Sequence, residues 1–244
     1  MTDIELYRDT GLEIYEKVHY SHGEHIREVD AILSWFKRGN ARILDMGCSG
    51  GLHALELAKR GHIVTGIDIE PAAITLARER NQDMHLQAGF LVVDLENGSL
   101  SGLGKFDLVY CLGNVLSHLQ KKSVPDLLEK IRGCLAEDGI FLFDVLHVGE
   151  EFPEGVYEED LGIIWERNLE RETGKIMMQG NFRDYGFVQN FQVWGYTRNE
   201  MLSILTRAGF CRVDISATLD FPPVQRITGN PICLRYRARA KEIE

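Results

Sequence analysis

Short apolar runs alternate with amphipathic segments over residues 41–145. The apolar runs ARILDM, HIVTGID, GFLVVD, KFDLVYCL and GIFLFDV each predict a β-strand. Between them, residues 52–60 have helical spacing, and Pro71 is typical of a first helical position. Ser123 and Asp126 resemble a capping box that opens a further helix through residue 136. Strands that alternate with helices at this period predict a parallel, doubly wound α/β sheet.

The pattern differs on both sides of this region. Residues 1–40 are predicted to be helical, because apolar side chains recur there at helical spacing. Residues 151–196 are rich in aromatic side chains, and two strand-like runs flank Thr173 and Gly174, which indicates a hairpin. We expect this segment to form an antiparallel β cap, inserted after strand five.

The α/β pattern resumes after the cap. Thr197 and Glu200 match a capping box before a helix, and the strand FCRVDIS follows. A Pro-rich turn, FPPVQRITGNP, then leads to a last strand, ICLRYRAR. We therefore predict one domain over residues 1–244, built on a mostly parallel seven-stranded sheet.

Composition narrows the classes of partner and compartment. The chain is 44% hydrophobic, enough for one sizeable core, and its net charge is −10. This acidic balance argues against nucleic-acid or anionic-membrane partners, because phosphate binding requires clustered Lys and Arg. No N-terminal signal pattern and no bilayer-length apolar run is present. The five cysteines are scattered and form no close pair, which fits a reducing cytoplasm.

Three histidines stand at three-residue intervals in the stretch HYSHGEH. His19, His22 and His25 suggest a metal, but no acid or cysteine at site spacing supports one, and Gly23 interrupts the helix. We expect no metal site.

A glycine-rich loop follows the first predicted strand in the stretch ILDMGCSGG. Ligands of doubly wound sheets bind beyond the carboxyl ends of the strands, at this kind of turn. The spacing of Gly47, Gly50 and Gly51 does not match the dinucleotide fingerprint, and a P-loop is excluded because no Gly-Lys-Ser/Thr follows. A glycine turn that serves only close helix–strand packing stays an alternative.

Three acids end consecutive strands on the same predicted rim. Asp45 ends the first strand, Asp68 the second and Asp94 the third. A carboxylate at the end of the second strand can accept hydrogen bonds from both ribose hydroxyls of an adenosine group. One after the third strand, with the following backbone amide, can bind the edge of an adenine. Together the three acids favour a nucleoside-containing ligand.

These residues lie in a segment that resembles class I S-adenosylmethionine-dependent methyltransferases. Their first motif, (D/E)-x-G-x-G-x-G, corresponds here to Asp45, Gly47, Ser49 and Gly51, with Ser49 in place of the middle glycine. The resemblance covers about residues 41–145. The stretch CLGN is similar to that of glycine and related small-amine N-methyltransferases, and the Asn/Asp-Pro-Pro-aromatic signature of nucleic-acid amino methyltransferases is missing there.

The resemblance implies that the chain binds S-adenosylmethionine and releases S-adenosylhomocysteine. The glycine loop would contact the methionine part, Asp68 the ribose and Asp94 the adenine, and strand four would end beside the sulfonium. The cofactor-binding residues implied are Asp45, Gly47, Cys48, Ser49, Gly51, Asp68, Ile69, Asp94, Leu95, Leu112, Gly113, Tyr15 and Tyr20.

Methyl transfer needs alignment of nucleophile, methyl and sulfur, and some acceptors also need a base. His118 and His147 follow the fourth and fifth strands and are the candidate general bases. The candidate substrate contacts are Asn114, His118, Arg183, Tyr185, Gln189 and Asn190.

Four hypotheses remain at this stage. The leading one is a methyltransferase for a small-molecule acceptor, preferably an amine or a carboxylate-bearing compound, acting as a monomer or homodimer. The others are a protein or RNA methyltransferase, a non-catalytic S-adenosylmethionine-binding domain, and a nicotinamide-dependent dehydrogenase. The missing third-glycine spacing disfavours the dehydrogenase.

Overall fold

A computed structural model describes residues 10–150, 152–158, 163–221 and 233–239. Most of the predicted Pro-rich turn at 221–231 lies outside these ranges, as do residues 1–9 of the N-terminal segment and residues 151 and 159–162 of the cap. The helices are α1 (Thr10–Tyr20), α2 (Glu24–Trp35), α3 (Leu52–Lys59), α4 (Pro71–Asp83), α5 (Val115–His118), α6 (Val124–Cys134) and α7 (Arg198–Arg207). The strands are β1 (Arg42–Met46), β2 (Ile63–Asp68), β3 (Gly89–Val92), β4 (Phe106–Cys111), β5 (Leu135–Leu146), β6 (Gly155–Glu158), β7 (Ile163–Glu170), β8 (Lys175–Phe182), β9 (Phe187–Trp194), β10 (Arg212–Ser216) and β11 (Cys233–Arg239).

Within these ranges, seven strands form the main sheet in the order β10-β11-β5-β4-β1-β2-β3. Strands β1 to β5 are parallel, and β11 runs antiparallel to both β5 and β10. The predicted mostly parallel seven-stranded sheet is therefore confirmed. The strand order reverses between β1 and β4, so the ligand crevice of a doubly wound fold is expected at their carboxyl ends.

Both faces of the sheet are covered by helices. Leu44 and Met46 of β1 pack with residues of α6 and α7, whereas Ile43 packs with residues of α2 and α3. This alternation follows from the two-residue period of a strand. Asp45 therefore points to the same face as Ile43, toward α2 and α3, and its burial brings a carboxyl group into the interior.

Two predicted helix starts have different outcomes. The Thr197 side chain accepts a hydrogen bond from the Glu200 amide at 3.2 Å, so this predicted cap is confirmed. Ser123 precedes α6, but it makes no side-chain cap, because its hydroxyl donates to Glu96 Oε1 at 2.9 Å. The helix predicted through residue 136 ends at Cys134, since Leu135 already begins β5.

The cap is a four-stranded antiparallel sheet in the order β6-β7-β8-β9. The hairpin predicted at Thr173 and Gly174 joins β7 to β8, and Gly174 supplies a φ of 75° there. Trp165, Phe182 and Phe187 of the cap pack against Ile14 and Val18 of α1. The cap and α1 therefore form one cluster, which lies beside the carboxyl ends of the central strands.

In the part of the chain that is described, no helix is long and apolar enough to cross a membrane.

Candidate active site

The glycines after β1 allow neighbouring elements to approach the loop closely. Gly47 has a φ of 76°, and a Cβ there would lie 2.6 Å from Val115 Cγ2 of α5. Gly51 has a φ of 82°, and a Cβ there would lie 2.9 Å from the Ala77 Cβ of α4. Left-handed φ values favour glycine. Packing against α4 and α5 therefore accounts for these two glycines.

Ser49 occupies a left-handed conformation, with a φ of 49°. This conformation explains why the methyltransferase motif that the sequence resembles has glycine here, and a serine accepts it at a cost of about 1 kcal/mol. The Ser49 amide donates to Asp68 Oδ2 at 2.9 Å. The loop path is thereby tied to the end of β2.

Asp45 is a buried carboxyl group at the end of β1. Its side chain is 3% exposed, and Oδ2 has no hydrogen-bond partner in the described part of the chain. Burial raises the pKa of Asp45 to about 6; His53 and Tyr110 oppose the rise, and Asp68 adds to it. A buried acceptor without a partner is costly, so this oxygen suits a donor brought by a ligand.

Two further carboxylates are held in place by local backbone amides. Asp68 Oδ1 accepts from the Glu70 amide at 2.9 Å, and burial raises the pKa of Asp68. Asp94 Oδ1 accepts from the Glu96 amide at 2.8 Å, and Oδ2 accepts from Asn97 Nδ2 at 2.8 Å. Hydrogen bonding, first from Asn97, lowers the pKa of Asp94. Both side chains are preorganised at the ends of β2 and β3.

The three acids open into one cavity of about 540 Å³ at the carboxyl ends of β1, β2 and β4. Every residue of the predicted cofactor-binding set lines this cavity except Gly51, which packs against α4 instead. Ile69 is 63% exposed on its wall, an apolar surface that a planar ring can cover. The cavity has the size and the mixed apolar and polar lining of a small-molecule site.

A second cavity of about 330 Å³ adjoins the first. The two share Tyr15, Tyr20, Gly113 and His118 in their walls, so a ligand in one lies close to a ligand in the other. The side chains that line only the second cavity include Glu28, Asn114, Asp144, Trp165, Cys233 and Arg235.

The two tyrosines of α1 form part of the shared wall. The Tyr15 hydroxyl donates to the Tyr20 hydroxyl, and the two rings lie 6.0 Å apart. Burial raises the pKa of both phenols, and the Glu28 carboxylate adds to both shifts. Both hydroxyls therefore stay protonated at neutral pH, beside a carboxylate.

Helix α1 is tied down across the glycine loop by an ion pair. Arg80 of α4 contacts Glu16 through Nη1–Oε1 at 2.8 Å and Nη2–Oε2 at 2.7 Å. The same Nη1 donates to the Gly50 carbonyl at 3.0 Å. A Cβ at Gly50 would lie 2.3 Å from Glu16 Oε1, so the glycine makes room for this contact.

The predicted general bases occupy different positions. His118 lines both cavities, and surrounding protein atoms lower the pKa of its imidazole by desolvation. His147 lines neither cavity, and its Nδ1 lies 3.1 Å from the Tyr196 carbonyl oxygen. The geometry therefore favours His118.

The predicted substrate contacts divide in the same way. Asn114 lines the second cavity, and Gln189 and Asn190 line the first. Arg183 and Tyr185, in a short 3-10 turn of the cap, line neither. Several residues of the second cavity were not predicted from the sequence. Asp144 could have been, because an acid near the end of a strongly apolar strand is unusual. The missed residues include Glu28, Asp144, Trp165 and Arg235.

Comparison with known sequences matches the central part of the chain. Residues 43–139 match the model of a family described as a methyltransferase domain. A ubiquinone biosynthesis O-methyltransferase of Alkalilimnicola ehrlichii is 39% identical over 93 residues, which are 38% of this chain and 35% of that protein. A protein of Geobacillus sp. strain WCH70 is 30% identical over 136 residues, 53% of this chain and 54% of that protein. The chain thus spans about half the length, or less, of these curated relatives.

Solved structures resemble nearly the whole chain at low identity. An S-adenosylmethionine-dependent methyltransferase from Clostridium acetobutylicum superimposes with a TM-score of 0.74 at 16% identity, covering 93% of this chain and 96% of that one. An amino pentose methyltransferase from Micromonospora echinaspora was solved with S-adenosylmethionine bound. It has a TM-score of 0.68 at 21% identity, and the superposition covers 98% of this chain and 99% of that one. These likenesses establish a shared fold.

Proposed function

We propose that this protein is an S-adenosylmethionine-dependent methyltransferase that methylates a small-molecule acceptor; the match of residues 43–139 to the model of a methyltransferase domain family supports this proposal. The observation that carries the proposal is the cavity into which Asp45, Asp68 and Asp94 all open. Three carboxylates at the ends of strands offer hydrogen-bond acceptors to the hydroxyl and amino groups of a nucleoside and to an ammonium group.

The residues of the first cavity fit S-adenosylmethionine. Asp68 and Asp94 offer acceptors for the ribose and the adenine, and Ile69 offers an apolar face to the ring. Asp45 has an oxygen without a partner for the ammonium group of the methionine part. When bound, the cofactor would supply a methyl group on a sulfonium, and this methyl group would pass to a lone pair of the acceptor with the neutral thioether as the leaving group.

The chain's own contribution to the reaction is orientation, exclusion of water and proton removal. Tyr15 and Tyr20 line both cavities and are partly buried, so they help to exclude water where the two cavities adjoin. His118 lies in the same shared wall, and its lowered pKa keeps the imidazole neutral at pH 7. It can therefore take the proton that an ammonium or hydroxyl acceptor must lose before it attacks.

We propose an acceptor that is an amine or carries a carboxylate. Aromatic rings and carboxylates around the second cavity suit an amine, because a cation binds to both. The capped site and the net charge of −10 weigh against an RNA acceptor.

The first test is calorimetric titration with S-adenosylmethionine, S-adenosylhomocysteine and NADH. We expect micromolar binding of both sulfur ligands and no binding of NADH. Release of S-adenosylhomocysteine with panels of amines, carboxylates and peptides then tests turnover and acceptor class. Absence of binding by both sulfur ligands would rule out the proposed function, and binding without turnover on any panel would favour a non-catalytic binding domain.

A further inference from the structure

Arg235 and Asp144 are cross-strand neighbours in the floor of the second cavity. The antiparallel pairing of β11 with β5 places them directly opposite each other. Directly opposed residues point to the same face of a sheet. Both line the second cavity, so a guanidinium and a carboxylate face one ligand space.

These two opposite charges do not neutralise each other through a direct contact. Asp144 Oδ1 accepts from the Asn114 amide at 2.7 Å, which fixes the turn after β4. Arg235 Nη1 donates to the Ala217 carbonyl, and Arg235 Nε is buried with no hydrogen-bond partner among the described residues. In the described ranges, Arg235 forms no ion pair with any carboxylate. A guanidinium that lines a cavity and pairs with no carboxylate can bind an anion through its remaining N–H groups.

A second unused donor lines the same cavity. Trp165 of the cap is 8% exposed, and its Nε1 has no hydrogen-bond partner in the described part of the chain. An indole N–H is a donor only, so an oxygen acceptor is the group that would satisfy it. Arg235 and Trp165 therefore both call for a ligand that carries acceptor oxygens.

A purely anionic ligand does not suit this cavity. Glu24, Glu28 and Asp144 also line it. Glu24 pairs with Arg27 at 2.9 Å and Glu28 contacts His53 Nε2 at 2.6 Å, whereas Asp144 accepts from backbone amides. Three acids against one guanidinium still disfavour an anion.

Glu28 lines this cavity, and its charge raises the pKa of Tyr15 and Tyr20, which line both cavities. An amino group beside the carboxylates and an anionic group at Arg235 would complement both sets of charges.

We propose that the second cavity binds an acceptor carrying both an amino group and a carboxylate or phosphate, the anionic group being held by Arg235 and Trp165. The inference rests on the proposed function, since it assigns the acceptor side of that site. A proton of the ammonium would first pass to His118, which frees the nitrogen lone pair; the nitrogen would then bond to the methyl carbon as the sulfur–carbon bond breaks and its electron pair stays on sulfur. Arg235 is a specificity residue, because it binds the anionic group of the acceptor and not the nitrogen that reacts.

The test uses the full-length protein saturated with S-adenosylhomocysteine. The probes are ω-amino acids from glycine to 6-aminohexanoate, the matching alkylamines without the carboxylate, and O-phosphoethanolamine. Calorimetry gives the affinity of each probe, and mass spectrometry detects N-methylation when S-adenosylmethionine replaces the product. The amino carboxylate and amino phosphate arms distinguish the two anionic groups.

The variants are Arg235→Gln, Arg235→Lys and Trp165→Phe, with Arg237→Gln as the matched control. Arg237 lies on the same strand, but it pairs with Asp214 and lines neither cavity. We expect Arg235→Gln to weaken the best zwitterionic probe at least tenfold and to leave alkylamine affinity within twofold. Arg235→Lys should retain part of the affinity, and Trp165→Phe should lose severalfold without unfolding the cap.

Several results would overturn the inference. The inference fails if the wild-type protein binds zwitterionic probes no more tightly than alkylamines. It also fails if Arg235→Gln and Arg237→Gln change the affinity for the zwitterionic probe equally. If Arg235→Gln does not fold, an unchanged zwitterion affinity in Trp165→Phe would count against the inference. Failure of the wild-type protein to bind S-adenosylhomocysteine would instead remove the proposed function, so the two failures are distinguishable.

Discussion

Arg80 and Glu16 join α4 to α1 in a two-point ion pair, with N–O distances of 2.8 and 2.7 Å, directly over the glycine loop. The two side chains are 26% and 12% exposed, so solvent screens the pair less than a surface ion pair. The pair fixes the helix that carries Tyr15 and Tyr20. Its loss should therefore lower ligand affinity more than it lowers the free energy of unfolding.

Arg80→Gln is expected to weaken S-adenosylhomocysteine binding by about three- to tenfold, mainly through faster dissociation, because α1 loses its anchor to the loop. Stopped-flow and calorimetric measurements give the rates and affinities. Arg60→Gln is the matched control, since Arg60 pairs with Asp30 and lines neither cavity. Equal affinities in the two variants would contradict a role of the ion pair in closing the cofactor cavity.

Asp68→Ala is expected to reduce the affinity for S-adenosylmethionine by about 2 kcal/mol or more, because a charge-assisted contact with the ribose is lost. Calorimetric titration checks this value. Asp83→Asn, at the exposed end of α4, is the control and should bind like the wild-type protein. Unchanged affinity in Asp68→Ala would reject the ribose assignment.

Asp45→Asn is expected to stabilise the ligand-free protein and to weaken cofactor binding. Folding raises the pKa of Asp45 from 3.8 to about 6, so ionisation costs folding free energy. This cost is absent below pH 3.8, grows as the pH rises toward 6 and is complete above it. Urea unfolding at pH 8 should therefore show a gain of about 1–3 kcal/mol over wild type, and the gain should shrink toward pH 4.

A second measurement on the Asp45→Asn protein tests whether the Asp45 carboxylate binds the ligand. If the carboxylate pairs with the ammonium group of the ligand, the stability difference between variant and wild type should narrow or reverse when S-adenosylmethionine is saturating. A stability gain that is independent of the ligand would show that Asp45 is buried for a reason unrelated to binding.

His118 is expected to set an acid limb in the pH profile of methyl transfer. Desolvation lowers its pKa below 6.5, so the imidazole is neutral at pH 7 and becomes protonated only as the pH falls through the lowered value. Activity should fall in acid as the imidazole becomes protonated, and an amine acceptor should add a separate rise above pH 7 as its own ammonium loses a proton. His118→Gln should lower kcat by about 10²-fold or more and abolish the acid limb. His147→Gln should preserve both, and a loss confined to His147→Gln would transfer the assignment to that residue.

Much of the fold could be predicted from the sequence because it is encoded locally. The apolar runs of β1 to β5 and the turn at Thr173 and Gly174 follow from strand period and turn chemistry. The capping prediction at Ser123 failed for a different reason. Glu96, 27 residues away in the chain, accepts the hydroxyl proton that the cap would have used.

Most residues that line the first cavity could also be predicted, since the strand ends of a parallel sheet must meet at one edge. Most residues that line only the second cavity could not. Glu28 comes from α2, Trp165 from the cap and Arg235 from β11, so only the folded chain brings them together. In sequence, Arg235 was one member of an alternating basic run, with no sign that it differs from Arg237. The difference lies in what each guanidinium contacts: Arg237 has Asp214, and Arg235 has a backbone carbonyl.

The α1 helix contributes Tyr15 and Tyr20 to the walls of both cavities, and both the cap and Arg80 hold it in place. Under the proposed function, the cofactor and the acceptor would both contact this helix. If filling one cavity tightens α1 and raises affinity at the other by some factor, linkage requires the same factor in the opposite direction. An acceptor that binds well should slow the dissociation of S-adenosylhomocysteine. The rate of turnover would then be limited by how fast α1 moves to release both ligands.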